Sequence, residues 1–471
     1  MVRVSPARQP EASADTSGWP LLASERTWGP WQLGIALATA AAATWCYVIG
    51  EYVGSYLGFV KGVAALAAGS MIGMLLVTLA TVPICIRFGV DTIVSSKPQF
   101  GSVGWIIPAL LQYVSILGWN SLLLIFFAKS TTQLLIAVGL LQGGASVFLV
   151  PATTALACSA VFVILLRGSS GVDRIAKILV FHVFIGCWML FILTTRRWHD
   201  LVSAIPAAQT PDRLWNYTTG IEIGISSLLG WWHYMGAMVR MAPNGRSAAL
   251  PIMLGMGAPV PLLSMIGIAG ILVLKVSDPA EWLRTVGGLW YGIVALVFVA
   301  AANLGTAIAG IYASAIGLRQ MPGVERISWP NLLLLTLAPV ALVGLFIPDL
   351  FFSHFGSFIA FVGVGFAPLC GIQIVDYYVL RGRRIAIRDL YDATESAPYR
   401  YWRGVNPAAL AAMGVGFIVY IYLLDPLAYE SRWPYQYLTA SLPTALISAL
   451  VYGVVTRLWV APRGMGGYRA K

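Results

Sequence analysis

The feature that most constrains this chain is a recurrence of uncharged apolar stretches, each about twenty residues long, from Trp31 to Val460. Wound as helix, a stretch of that length spans the hydrocarbon core of a bilayer. Lipid offers no partner for backbone N–H and C=O groups, so such a run must satisfy them internally, as a helix does. Charged residues make up 10% of the chain, against about 25% in soluble domains, which excludes a water-soluble architecture. Breaks at Gly, Pro and charge clusters give about twelve spans, near 31–56, 60–84, 104–128, 146–166, 176–195, 216–239, 249–275, 287–318, 331–348, 355–379, 407–424 and 438–459. The reading is an all-α polytopic membrane protein.

The basic residues orient it. With the N-terminus inside, Lys61, Lys129, Arg196, Arg197, Arg213, Lys275, Arg284 and Arg432 fall in outer segments, and the rest of the 30 Lys and Arg fall in inner ones. That bias explains the net charge of +11 as membrane topology rather than a nucleic-acid surface. Both termini are expected in the cytoplasm, with the chain in the cell membrane (the inner one in a bacterium). Residues 1–29 are polar and lack the apolar core of a signal peptide, so they read as a disordered cytoplasmic tail. Residues 30–460 read as a single transmembrane domain, with a core over 31–380 and extra helices over 407–459; 461–471 reads as a cytoplasmic tail. The five cysteines form no CxxC pair, which suggests neither a metal site nor a disulfide framework.

A carboxylate inside a membrane costs several kcal/mol unless it is paired, protonated or hydrated. Two call for a reason. Glu51 lies toward the outer end of the first span and reads either as an interfacial acid or as a coupling group. Glu222 lies in the sixth span, about 10 Å below its outer edge at 1.5 Å rise per residue. It reads either as an acid hydrogen-bonded to a neighbouring helix or as a protonatable, substrate-contacting group in a water-filled cavity. Gly220, Gly224, Ser226, Ser227 and Gly230 crowd the same span, which suits either an interrupted helix or close helix packing. Spans one and six would be equivalent elements of two five-span repeats of opposite orientation, and carriers of that design bind where such helices break. In the first span Ala40–Thr44 contains neither Gly nor Pro, so its break is less marked. Trp119 falls near the middle of the third span, where an indole face suits stacking on a planar heterocycle or plain core packing. His182 and His233 read as packed residues.

Several segments resemble the purine–cytosine permease family, the nucleobase–cation symporters. They are Arg87-Phe-Gly, Phe100-Gly-Ser-Val-Gly104 with Pro108, Gly118-Trp119, Val239-Arg240-Met-Ala, Pro368-Leu-Cys-Gly371, Asp376-Tyr-Tyr378 with Arg381, Asp389-Leu-Tyr391, and Tyr401 through Ala408. The resemblance covers roughly 28–460. It implies a five-plus-five inverted-repeat core with two additional C-terminal helices, alternating access, and uptake of a nucleobase, hydantoin, allantoin or related compound with Na⁺ or H⁺. It makes Trp119 the stacking indole and Ser227 with Leu228 the sixth-span substrate contacts. Thr306 becomes a hydroxyl ligand of a cation site completed by carbonyls near Ala43 and Thr44. The chain departs from that pattern at Leu228, where an aromatic is usual, and at Ala237. It departs again over Ala307–Ile311, where a substrate-binding Asn is expected, and at Gly305, where a second cation hydroxyl is expected. Those losses weaken a five-oxygen Na⁺ site.

The expectation is a secondary symporter and not an enzyme. Trp119, Ser226, Ser227, Leu228 and Glu222 would contact the substrate; Thr306, Ala43, Thr44, Glu222 and Glu51 would serve cation coupling. No cofactor, metal beyond a weak Na⁺ site at Thr306, nucleic acid or obligate protein partner is expected; the partners are a small heterocycle and the bilayer. The alternatives are an amino-acid or amine carrier of the same architecture, or a sensor that binds without transporting.

Overall fold

The computed structural model describes residues 20–41, 43–141, 146–166, 197–245, 248–276, 278–285, 288–319, 324, 326–392, 394 and 397–468. The expected fifth span near 176–195, with His182 and Cys187, lies outside these residues, as do positions 1–19 and 469–471 of the expected tails.

The regular elements are helices throughout. The first span is two pieces, α1 (Pro30–Ala41) and α2 (Trp45–Tyr56). The long α3 (Phe59–Phe88) ends at Gly89, whose φ of +70° an L-residue adopts only at a cost. A short α4 (Thr92–Phe100), capped by Asp91, leads to α5 (Ile106–Ala137) and α6 (Ser146–Leu165). The sixth span is again two pieces, α7 (Arg213–Leu229) and α8 (Trp232–Val239). Asp212 caps α7, accepting from the Leu214 and Trp215 amides at 2.9 and 3.0 Å. Then come α9 (Ala249–Leu274), α10 (Leu289–Arg319), α11 (Trp329–Phe346) and α12 (Phe355–Leu380). Beyond a polar connection follow α13 (Pro407–Leu423) and α14 (Ser441–Arg463). Eight of these helices are long and apolar enough to cross a membrane, and the chain is a multi-pass membrane protein.

Two sequence expectations change. The third span was expected to end near 128, ahead of Lys129, but α5 continues to Ala137. The lysine is tolerated there because its ammonium meets Asp278 at 3.0 Å and Asp349 at 3.6 Å, and lies over the Phe352 ring. Residues 20–29, assigned to a disordered tail, are instead held against the C-terminal end of α3. Leu21 donates its amide to the Gly89 carbonyl at 2.9 Å, and the Arg26 guanidinium donates to the Ile86 carbonyl at 2.9 Å. Orphan carbonyls at a helix end supply the acceptors that a polar segment needs.

Packing fixes where the broken spans sit. α3 runs along α7, α9 along α2, and α10 along α5. The α3–α7 contact depends on missing side chains: a Cβ on Gly69 would lie 2.2 Å from the Ile221 carbonyl oxygen. Small residues let helix backbones approach in lipid, where no hydrophobic force drives helices together. The last two spans, α13 and α14, pack on α12 and on each other.

Candidate functional site

Both interrupted spans break at the same cavity. In the first span the helix stops at Ala41 and resumes at Trp45. Thr44 there donates its hydroxyl across to the Asn303 amide oxygen of α10, while the Thr44 carbonyl accepts from the Tyr47 amide at 2.9 Å. The contact to a neighbouring helix compensates for local backbone bonds that a Pro- or Gly-free break gives up. In the sixth span the helix stops at Leu229 and resumes at Trp232. Gly230 is needed at that turn, since a Cβ there would stand 2.9 Å from Nε1 of Trp119.

The cavity between the breaks has a volume of about 170 Å³ and is lined by Ala40, Trp45, Trp119, Leu123, Gly230, Trp231, Tyr234, Ala237, Met238, Thr306, Ala309, Gly310 and Ala313. Three indoles define one end. Trp45 meets Trp119 edge-on with centroids 5.5 Å apart, and Trp45 lies tilted against Trp231 at 5.8 Å. Phe355 and Phe358 at the start of α12 close over Trp119, edge-on at 5.4 and 5.5 Å. The other wall follows Tyr234, Ala237 and Met238 along α8. None of the described lining residues is charged, so the site suits a small, neutral, planar molecule whose faces stack on indole.

Of the expected site residues, the cavity brings together Trp119 and Thr306. The Thr306 hydroxyl donates to the Ala302 carbonyl at 3.0 Å, which leaves its oxygen lone pairs free. Ala43 and Thr44 sit at the first break between the lining residues Ala40 and Trp45, and Thr44 bonds Asn303, three residues before Thr306 on α10. Ser226, Ser227, Leu228 and Glu222, expected as substrate contacts, lie elsewhere. Ser227 turns back on its own helix, donating to the Ile223 carbonyl at 2.6 Å. Leu228 packs toward α3, where a Cβ on Gly73 would meet its Cβ at 3.0 Å. The reason is where the helix ends: 226 to 228 still lie within α7, with Ser226 against α13 and α14 and Leu228 against α3, and the cavity is reached only at the turn that follows.

Glu222 is fully engaged on the opposite side of α7. Its Oε1 accepts from Ser226 Oγ at 2.9 Å, Tyr420 Oη at 2.8 Å and Ser441 Oγ at 2.5 Å. Its Oε2 accepts from the amides of Ala440 and Ser441, both at 3.0 Å. The carboxylate thus caps the start of α14 from a neighbouring helix, which suits a helix N-terminus rich in unpaired amides. This replaces the expectation that Glu222 lines a wet cavity. Glu51 also stands off the cavity wall; it is buried and accepts from Trp282 Nε1 at 3.3 Å.

Trp45 and Trp231 were missed by sequence reasoning. The signal for Trp231 was present in the run Gly230-Trp-Trp-His, since a glycine before paired aromatics marks a turn with large faces on it. Trp45 gave none, because a tryptophan in an apolar span reads first as lipid-facing or packed.

Comparison with known proteins bears on this geometry. A family profile described as "Permease for cytosine/purines, uracil, thiamine, allantoin" matches residues 20–435. The hydantoin permease of Microbacterium maritypicum is 36% identical over 124 residues, 26% of this chain and 22% of that protein. The allantoin permease of Bacillus subtilis is 31% identical over 107 residues, 22% and 20% of the two chains. The chain thus matches less than a third of the length of these curated relatives. Among solved structures, the inward-facing conformation of Mhp1 superposes with a TM-score of 0.80 at 21% identity, covering 98% of this chain and 96% of that one. A Na⁺-coupled sialic acid symporter superposes at 0.57 with 10% identity, covering 95% and 92%. Likeness at those identities shows a shared fold. The profile match over most of the chain shows more: the protein belongs to the family of permeases for cytosine and purines, uracil, thiamine and allantoin.

Proposed function

We propose that the chain is a secondary symporter that carries a small, neutral, nucleobase-like heterocycle across the cell membrane by alternating access, with H⁺ or Na⁺ as co-substrate. The observation that carries this reading is the meeting of two broken spans at an uncharged cavity walled by Trp45, Trp119 and Trp231. A carrier needs a site that can open to either side, and short half-helices can swing about such breaks. The ring would lie against Trp119, whose outer side is closed by Phe355 and Phe358, while α8 walls the path inward.

The co-substrate cation belongs at the first break. Carbonyls of Ala43 and Thr44 and the hydroxyl of Thr306 are oxygen donors of the kind that hold Na⁺, while Gly305 supplies no side-chain oxygen. The lining disfavours the amino-acid or amine alternative, because a charged solute leaving water would find no counter-charge among the described lining residues.

Uptake into proteoliposomes tests the reading. Radiolabelled uracil, hydantoin and allantoin are offered under an imposed Na⁺ or H⁺ gradient, and at least one is expected to accumulate in a gradient-dependent way. Accumulation of amines or amino acids instead, or saturable binding without flux, would overturn it.

A further inference from the structure

Where α3 and α12 finish, away from the cavity between the broken spans, a second hollow of about 770 Å³ opens. Arg87, Arg381 and Arg384 line it, and Asp389 is the one carboxylate among its described lining residues. The three cations differ in what they face. Arg381 is buried and answered by Asp376 at 2.7 Å. Arg87 and Arg384 are exposed, and among the described residues neither has a carboxylate within ion-pair reach. The Arg87 guanidinium gives one N–H to the Arg383 carbonyl at 2.6 Å, which holds it in place and leaves its other donors open.

This basic hollow continues into an apolar one. Val379 and Leu380, which wall it on α12, also wall a groove of about 340 Å³ between α12 and α14. The groove has Arg457 as its one charged lining residue, and Gly453 keeps its floor free of a side chain. Val379, Leu446, Leu450 and Val454 along it are 47 to 70% exposed, on helices apolar enough to cross a membrane, so lipid hydrocarbon is their solvent. Arginines that only set topology need neither a concave wall nor an apolar extension. Here both are present.

We infer that the joined hollows are a binding site for an anionic phospholipid, with its phosphate against Arg87 and Arg384 and one acyl chain along the α12–α14 groove past Arg457. A guanidinium matches a phosphate with paired N–H donors, and basic pockets beside membrane spans hold anionic headgroups. Asp389 on the same wall repels a bare phosphate dianion but accepts from a hydroxyl, so a monoanionic phosphoglycerol diester fits best.

Native mass spectrometry of the purified full-length protein in detergent tests this, because it resolves each bound lipid. The probes are dioleoyl-phosphatidylglycerol and dioleoyl-phosphatidylcholine, which share their chains, and inorganic phosphate as competitor. The first phosphatidylglycerol is expected to bind roughly tenfold more tightly than the first phosphatidylcholine. Arg87→Gln with Arg384→Gln should abolish that preference. Arg403→Gln with Arg463→Gln should keep it, since these residues lie at the same end of the fold but line neither hollow. Gly453→Leu should weaken both lipids; its Cβ would meet Val375 at an ordinary 3.6 Å, so the helices need not part. Thermal unfolding checks each variant, and the headgroup preference of the unaltered protein needs none. Equal affinity for the two lipids, an equal loss of preference in the Arg403 and Arg463 variant, or displacement of phosphatidylglycerol by equimolar phosphate would overturn the assignment. So would a lipid-free dimer broken by Gly453→Leu, which would give the groove to a second copy of the chain.

Discussion

Trp119 shows how much a single residue's neighbours add to its sequence reading. By itself a mid-span indole is as consistent with packing as with binding. Here it packs edge-to-face with Trp45, Phe355 and Phe358, with centroids 5.4 to 5.5 Å away, and Gly230 leaves room for Nε1. A ring held in this way loses little freedom when a ligand stacks on it. Trp119→Ala is expected to weaken binding of the transported heterocycle by about 1 kcal/mol, or roughly fivefold in Kd. Equilibrium binding to the purified protein measures it, and unchanged affinity would remove the indole from the site. The neighbouring sixth span was read one turn too early: Ser227 and Leu228 carried the expected polarity and position, but the cavity is met at Gly230, Trp231 and Tyr234. A shift of three residues, about 4.5 Å along the axis, carries the reading past the end of α7 at Leu229, and no composition argument places that end.

At the level of elements, the sixth span does two jobs on two sides. Its broken end opens on the cavity, while Glu222, a little more than two turns earlier, ties α7 to α13 through Tyr420 and to the start of α14 through Ala440 and Ser441. The carboxylate is thus a strut between α7 and the last two spans, α13 and α14. Hydrogen bonds to a charged group contribute more than neutral ones, and their buried donors lose their partner together when it goes. Glu222→Ala is expected to lower stability by about 2 kcal/mol or more while leaving heterocycle affinity within twofold. Thermal unfolding and a binding isotherm on the same sample decide it; lost affinity with unchanged stability would return Glu222 to the site. The break in the first span teaches a related lesson. Ala40–Thr44 lacks the usual breakers, and the interruption is legible only once Asn303 on α10 is seen to take the Thr44 hydroxyl.

For the whole molecule, the end of α12 is organised by one of the motifs that carried the family resemblance. Asp376 and Arg381 are buried together at the end of α12, 2.7 Å apart. Gln99 and Tyr468 bond the carboxylate at 2.8 and 2.7 Å, and the guanidinium reaches the Pro98 and Gly466 carbonyls. A buried ion pair this well satisfied is costly to break and sets geometry more than it adds net stability. Here it joins α4, α12 and the C-terminal segment away from the cavity lining, which makes the motif a fastening of that end of the fold. Topology is the prediction at this scale. The surplus of Lys and Arg on alternate segments requires both ends of the chain on the same, cytoplasmic side. Single cysteines introduced at Ser5 and at Lys471 are expected to resist a membrane-impermeant maleimide in intact cells and to react after permeabilisation. Labelling of either one in intact cells would invalidate the orientation.

The sequence by itself determined that the chain is a helical membrane protein of this family, about where its spans lie, and that Trp119 and Thr306 merited attention. Hydropathy, the cost of an unpaired backbone in lipid and charge asymmetry act along the chain, so they can be read along it. Only the tertiary structure decided which polar groups face the cavity and which face another helix. Glu222, Ser226 and Asn120 are all buried polar residues on apolar spans, and nothing local separates them. What separates them is the neighbouring helix: α13 and α14 present donors to Glu222, while α10 presents the bare backbone of Gly310 to Asn120. A hydrogen bond has a direction and a reach of about 3 Å, and whether it is satisfied depends on atoms brought together from distant parts of the chain.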